Sequence, residues 1–429
     1  MNSTKICIIG GGITGITCAK ILKEKGTDVE VFEKSDQLGG LISCEVNNGN
    51  LFHKVGGHVF NTKNEKVNDW FWSYFSKEKD FLSAKRNASI YLDNFFIPYP
   101  IELNISRIKD KQISRNIILD LIEISNFEKN KEYLNFDDFL KGNFGNTLYE
   151  LYFKPYNEKL WRRNLSTIPL DWLEGKLPMI NPKEIILKNI NSQKSDGMPH
   201  QYFYYPKEGG SQFIINRLSE GININYHEVS EIKYDNGFSV NSFKKKYDHI
   251  IYTGNLKKIK IIFDKSLIKN FQIDNELKII NKLRSNGTFN VLCECDKNDY
   301  SWIYLPEKKF LAHRIIMTGN FSENNNNKRL NKDRSTCVVE FSGEYNFDEV
   351  KSELSELPFN LSPISFNFCK ESYIINDFKC REIIDKIKLD FQKNNIHLCG
   401  RFAEWRYYNI DNCIESAMQV CDKILADKI

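Results

Sequence analysis

The chain has 429 residues, 41% of them hydrophobic and 13% aromatic, and 60 Lys plus Arg stand against 56 Asp plus Glu for a formal charge of +4. That content can bury a core spread over roughly two to three domains, which excludes wholesale disorder. The small, dispersed basic excess excludes the continuous positive face that duplex nucleic acid requires, so no nucleic-acid partner is expected.

In chain order, the apolar run Lys5–Ile9 reads as a strand and Gly10, Gly11, Gly12 and Gly15 as a turn. Ile13, Ile16, Ala19, Ile21 and Leu22 form a helical face ending at Gly26, and 28–33 alternates as a second strand, completing a βαβ unit. The uncharged stretch 6–19 falls short of the roughly 20 apolar residues of a membrane span, and its glycines suit a turn better than a signal-peptide core. A soluble, cytoplasmic protein with no membrane span is expected. From about Asn104 to Gln193 the apolar spacing is helical, through Ile117, Ile118, Leu121 and Ile122, then Phe136, Phe139 and Leu140, then Leu148, Leu151 and Tyr152. Strand-like runs follow at 249–252, 290–293, 301–305 and 336–341, with Asn324–Asn327 as a polar loop to which no chemistry is given. Ile414, Ala417, Met418, Cys421, Ile424 and Leu425 form a last helical stripe after the run 397–400. The eleven cysteines lack CxxC or zinc spacing and read as reduced, buried thiols, with no metal site.

The expected fold class is α/β: a Rossmann-like domain, a helical insertion and an antiparallel-sheet substrate domain. The expected boundaries are 1–84, 207–258 and 392–429 for the dinucleotide domain, 104–206 for the helical domain with a mobile loop, and 85–103 with 259–391 for the substrate domain.

Gly10, Gly12 and Gly15 sit between strand and helix, where glycines permit a tight turn, close approach of backbone to a pyrophosphate and close helix packing. The helix N-terminus then faces an anion. Glu33 ends the second strand at the distance where a carboxylate can bond both hydroxyls of a ribose, which disfavours a 2′-phosphate and points to FAD or NAD. Gly39 and Gly40 follow as a second pair that can bring N–H groups to a longer ligand. This two-part pattern resembles the fingerprint of the glutathione-reductase-like FAD proteins, in particular their amine-oxidase and UDP-galactopyranose mutase branch. The resemblance also assigns Lys34, Val229, Gly400, Arg401, Asn409 and Asp411 to the cofactor, with a helix starting near Asp411.

Four blocks sharpen the resemblance to UDP-galactopyranose mutases and related nucleotide-sugar mutases. Residues 52–62, with Gly56, Gly57 and His58, are similar to a family strand with a Gly-Pro-His core beside the flavin; Gly57 stands in for the proline, and His58 becomes a candidate catalytic group. Residues 153–161 resemble the Tyr-Thr-x-Lys-Gln-Trp block, which implies that Tyr156 stacks on the base and Trp161 walls the site. Flat side chains suit this task, because stacking contributes about 1–3 kcal/mol per base. The segment with Trp302, Tyr304, His313 and Arg314 resembles a strand pair carrying a diphosphate-binding arginine, and a guanidinium fork matches phosphate oxygens. Residues 400–411 resemble the family's Gly-Arg ending, placing Arg401 by the cofactor and Tyr407 on the diphosphate, with Arg406 beside it.

Three departures stand out. The mobile-loop arginine expected after Leu177-Pro178 is Ile180, with Arg162, Arg163, Lys176 and Lys183 as stand-ins. A phosphate-bonding tyrosine appears as Phe341, and the first aspartate of the ending as Asn409. The resemblance implies a mutase, an isomerase acting through reduced FAD, in which flavin N5 attacks the anomeric carbon of a UDP-sugar, galactopyranose or a relative such as arabinopyranose, and the adduct recloses as the other ring form for surface-glycan precursors. Arg314 would stabilise the leaving diphosphate. The alternative is an FAD-dependent oxidoreductase of the amine oxidase or protoporphyrinogen oxidase type. The partner expected is a nucleotide-diphosphate sugar, and a homodimer is allowed.

Overall fold

The computed structural model describes residues 3–126, 132–170, 173, 181–191, 202–265, 267–268, 273–375, 377 and 380–426. Two sheets dominate it. The first has five strands, all parallel, in the order Ile396–Leu398, His249–Tyr252, Lys5–Ile9 (β1), Asp28–Phe32 (β2) and Asn223–Asn225. A parallel sheet is covered on both faces, so its strands read as continuous apolar runs. Alternation along β1 accordingly divides its residues between two cores. Ile6 and Ile8 join helix Ile13–Glu24 (α1) and the last helix, Ile410–Ala426, through Ile16, Leu22, Ile414 and Ala417. Cys7 and Ile9 face Tyr252, Ile384 and Phe391 instead.

The second sheet has seven strands in the order Ser362–Ile375, Arg284–Asp296, Arg334–Ser342, Ala312–Ile316, Trp302–Tyr304, Ala88–Leu92 and Phe95–Pro98. It is antiparallel except where Trp302–Tyr304 runs parallel to Ala88–Leu92, so the expected antiparallel sheet is a mixed one. One face carries Val291, Ile303, Ile315, Val339 and Phe341 against Val350 and Leu354 of helix Phe347–Leu354. The other carries Asn290, Glu340, Arg314 and Tyr304, which lie side by side in register across four strands.

The helical insertion comprises Lys111–Ser125, Phe136–Phe144, Lys154–Trp161 and Pro182–Ile190, joined in one core through Ile117, Leu121, Phe136, Leu140 and Ile185. Asp110 starts the first of these by accepting the N–H groups of Gln112 and Ile113, and Asn135 starts the second through the N–H of Asp138. The expected domain limits at 258/259 and 391/392 do not follow the packing. Leu277 of helix Asp274–Ile280 and Ile384 and Phe391 of helix Cys380–Gln392 seal the far face of the parallel sheet. Asn324–Asn327 also differs from a solvated loop: Asn325 is fully buried and donates to the Thr318 carbonyl and the Tyr205 hydroxyl. All eleven cysteines are free, and no helix among the described residues is long and apolar enough to cross a membrane.

Candidate active site

The turn between β1 and α1 is built by steric necessity. Gly10 lies at φ +107°, where a Cβ would stand 2.3 Å from Thr253 Oγ1, and a Cβ on Gly15 would stand 1.9 Å from the Gly10 carbonyl oxygen. Only glycine lets α1 approach β1 this closely. Gly12 caps α1 without a side-chain bond, which leaves the helix's first N–H groups open to an anion. Glu33, buried just beyond β2, accepts the N–H of Gly11 at 2.7 Å on one oxygen and that of Ser35 at 2.8 Å on the other. Each oxygen keeps a lone pair for a further donor. Gly39 and Gly40, both at positive φ, return the chain to this turn, and the Gly39 N–H donates to the Gly11 carbonyl at 2.9 Å.

From this cradle a single cavity of about 800 Å³ runs past Lys34 and Val229, past Gly56, Gly57 and His58, to Arg401, Asn409 and Asp411 at the start of helix Ile410–Ala426, and on to Tyr304, Arg314 and Tyr407. Phe52–His53 ends a strand, Asn50–His53, and the residues that follow leave it as a loop rather than the strand expected. Gly56 takes φ +63°, and a Cβ there would come within 2.9 Å of Glu340 Oε2. Its N–H donates to Asn290 Oδ1 at 3.0 Å, tying the loop to the floor of the cavity. Four buried nitrogens of cavity residues, His58 Nε2, Arg86 Nε, Arg314 Nε and Arg401 Nε, have no hydrogen-bond partner among the described residues. Buried polar groups left open in this way mark a place for a polar ligand. With the bare glycine turn and Glu33, they fit a dinucleotide with a second, anionic ligand beside it.

The floor is the polar row of the seven-stranded sheet. Between Ala312 and Arg314 the register slips by one residue, and this bulge turns both His313 and Arg314 toward Glu340. Arg314 Nη2 donates to both Glu340 oxygens at 2.9 and 3.0 Å and to the Tyr373 hydroxyl at 2.9 Å. Tyr373 donates to Glu340 Oε1 at 2.6 Å, and His313 Nε2 donates to the same oxygen at 2.9 Å. Burial alone would raise the Glu340 carboxyl, but Arg314, His313 and Tyr373 outweigh it and hold it well below the usual carboxylate range. Burial keeps the His313 ring neutral despite Glu340, so that contact is a hydrogen bond and not an ion pair. His58 is pushed down to about 4, first by burial and then by Arg401 and Arg314; its ring bonds the Val55 backbone. Arg401 donates to the carbonyls of Tyr408 and Ser372 at 2.9 and 2.6 Å and covers the Tyr407 ring at 4.2 Å. Tyr407 stacks in turn on Tyr373, with ring centroids 5.8 Å apart.

Several expected site residues stand apart from the cavity lining. Phe341 is fully buried on the opposite face of its strand, because Glu340 next to it already points inward. Tyr156 packs in the helical core with Tyr152 and meets the Tyr304 ring edge-on at 5.5 Å, one layer behind the cavity. Trp161 forms a second layer too, edge-on to Tyr373 and Tyr407 at 6.1 and 6.0 Å. Arg162 lies over Tyr345 and donates to the Ser342 carbonyl, and Arg406 faces Asp385 outside. Arg163 and Lys183 do not line the cavity. Lys176, Leu177, Pro178 and Ile180 lie outside the described residues. Sequence reasoning missed Arg86, Glu340 and Tyr373, which no motif or periodicity marks, since strands distant in the chain bring them together.

Residues 8–75 match the model of an NAD(P)-binding Rossmann-like domain. The chain is 22% identical to a probable UDP-galactopyranose mutase of Klebsiella pneumoniae over 433 residues, covering 99% of this chain and 96% of the relative. It is 22% identical to a dTDP-fucopyranose mutase of Escherichia coli, covering 97% of each. Among solved structures, reduced UDP-galactopyranose mutase superposes with a TM-score of 0.87 at 20% identity, over 99% of this chain and 96% of the other. The resemblance expected from the motif blocks therefore extends along the whole chain and its fold, and full-length relatives that are mutases indicate an enzyme of the isomerase kind.

Proposed function

We propose that the chain is an FAD-dependent mutase that interconverts the pyranose and furanose forms of a nucleotide-linked sugar, of the class of UDP-galactopyranose, UDP-arabinopyranose or a 6-deoxy relative. The observation that carries this reading is one continuous cavity joining the glycine cradle to an arginine and tyrosine end, in a chain aligned end to end with sugar-nucleotide mutases. The turn at Gly10–Gly12 and the start of α1 would hold the cofactor pyrophosphate and Glu33 its ribose. Arg401 and the start of helix Ile410–Ala426 would offset negative charge on its ring. When bound, a reduced flavin supplies the electron-rich nitrogen that such a ring contraction needs, with no net oxidation.

The chain's own groups then do three things. Arg314 and Tyr407 bind the diphosphate and stabilise the charge it gains as it leaves the anomeric carbon. Glu340, with Tyr373, holds Arg314 in one orientation before substrate arrives, so little reorganisation accompanies the reaction. His58, neutral near pH 7 and fixed through Val55, presents Nε2 as an acceptor for a hydrogen bond from a sugar hydroxyl.

The test is anaerobic turnover of the purified protein, with and without dithionite, on a panel of UDP- and dTDP-pyranoses followed by chromatography and proton NMR. A furanose product that appears only under reducing conditions is expected. Unchanged sugars, with oxygen consumed on an amine or a porphyrinogen, would replace this reading by the oxidoreductase.

A further inference from the structure

Arg86 follows strand Phe81–Lys85 and precedes Ala88–Leu92, at the edge of the cavity's far end. Its guanidinium lies 4.9 Å from the Trp302 ring centroid and 5.5 Å from that of Tyr99, and Nη2 donates to the Tyr304 hydroxyl. No carboxylate pairs with it among the described residues, and its Nε has no partner. The other two cavity guanidiniums are engaged, Arg314 by Glu340 and Arg401 by two carbonyls.

A partly buried cation with no carboxylate beside it costs free energy, and two aromatic faces recover only part of it. Beyond Arg401 and Asp411, Arg86 and Arg314 face one carboxylate, Glu340, which leaves a local charge of +1 at this end of the cavity before any ligand binds. An anionic oxygen of a ligand would offset it. Tyr304 fixes the guanidinium from one side and the rings from two others, so the fork is presented in a single geometry without a ligand having to order it.

We propose that Arg86 is a substrate-binding residue, its guanidinium taking an anionic oxygen of the ligand. This rests on the nucleotide-sugar reading above for the identity of that ligand. A diphosphate and a carboxylate on the sugar offer the same chemistry, and the test separates the two.

The experiment is titration calorimetry of the flavin-loaded protein and of its R86Q and R86K variants with inorganic pyrophosphate, UDP, UDP-galactose and UDP-galacturonate. Loss of one charge-assisted contact lowers affinity by about ten- to a hundredfold in R86Q, while R86K retains most of it. An equal loss for all four ligands identifies the diphosphate; a loss confined to UDP-galacturonate identifies a sugar carboxylate. Equal affinities in R86Q and the parent overturn the assignment and leave the nucleotide reading standing. A fall as large in R86K as in R86Q, together with a lowered melting temperature or an altered flavin spectrum, also overturns it by showing a structural role. Pyrophosphate binding that depends on Arg86, with no binding of UDP, upholds the anion site and removes the nucleotide reading.

Discussion

Glu102 offers a test of the packing away from the cavity. It sits in the turn Ile101–Leu103, only 3% exposed, within the core of the helical insertion, and no basic side chain pairs with it among the described residues. Burial pushes its carboxyl from an ordinary value of 4.5 up to about 7. The folded state therefore keeps a proton that the unfolded chain has released, so this group's stability is complete below about 4.5 and is lost as pH rises through about 7. At about 1.36 kcal/mol per pKa unit, that separation amounts to about 3 kcal/mol. Gln is nearly isosteric with the protonated acid and cannot ionise, so E102Q removes the loss. Buried histidines act with the opposite sign: His53, His58 and His397 are held at about 3, 4 and 4, and their stability is lost as pH falls. The difference between parent and variant cancels them. Urea denaturation of both proteins should show the advantage of E102Q growing by about 2–3 kcal/mol between about pH 5 and about pH 8. A difference that stays constant across that range would refute the argument that Glu102 is buried without a cation.

Three further outcomes follow from the site. E340Q strips the charge that faces Arg314 in the cavity floor, and loss of one member of a buried pair costs about 3–5 kcal/mol, measurable as a lower urea midpoint at unchanged slope; a midpoint like the parent's would show that the pair is solvated. Gly15→Ala places a methyl where the Gly10 carbonyl stands, so α1 must move off β1 at a cost of about 1–3 kcal/mol, and the purified variant should carry less flavin by its visible absorbance; full flavin content would contradict the cradle. His58 is neutral above about pH 5, so turnover should show no inflection near 6.5 that H58N abolishes. A pH–rate profile with such an inflection would mean that the ring is open to water.

How far the chain explains itself depends on the distance between the residues involved. The turn at Gly10–Gly15 and Glu33 lie within one βαβ unit in the first 33 residues, where strand spacing and helix sterics determine the geometry, and there the glycines and the carboxylate meet. Strands at 249–252, 302–304 and 334–342 were likewise marked by their own apolar runs. Which face a strand residue presents is a different matter, since one step of register exchanges core for cavity. Phe341 and Glu340 are neighbours in sequence, yet one is core and the other the ligand of Arg314. The bulge at His313 aims two consecutive residues the same way, which alternation by itself forbids. Tyr156 and Trp161 have the aromatic character expected of a substrate wall but sit one layer behind it, because the rings of Tyr304, Tyr373 and Tyr407, from three separate segments, stand in front.

By itself, then, the sequence determined a dinucleotide-binding turn, the order of strands and helices, and a basic, aromatic end to the chain, all consequences of local sterics and period. Only the tertiary structure decided that Arg314 is clamped by Glu340 and Tyr373, that Arg86 is left without a carboxylate, and that both open on the cavity of the glycine turn. The physical reason is that charge pairing and burial depend on side chains from strands more than 200 residues apart in the chain, such as 88–92 and 302–304, whose contact exists only once the seven-stranded sheet has formed.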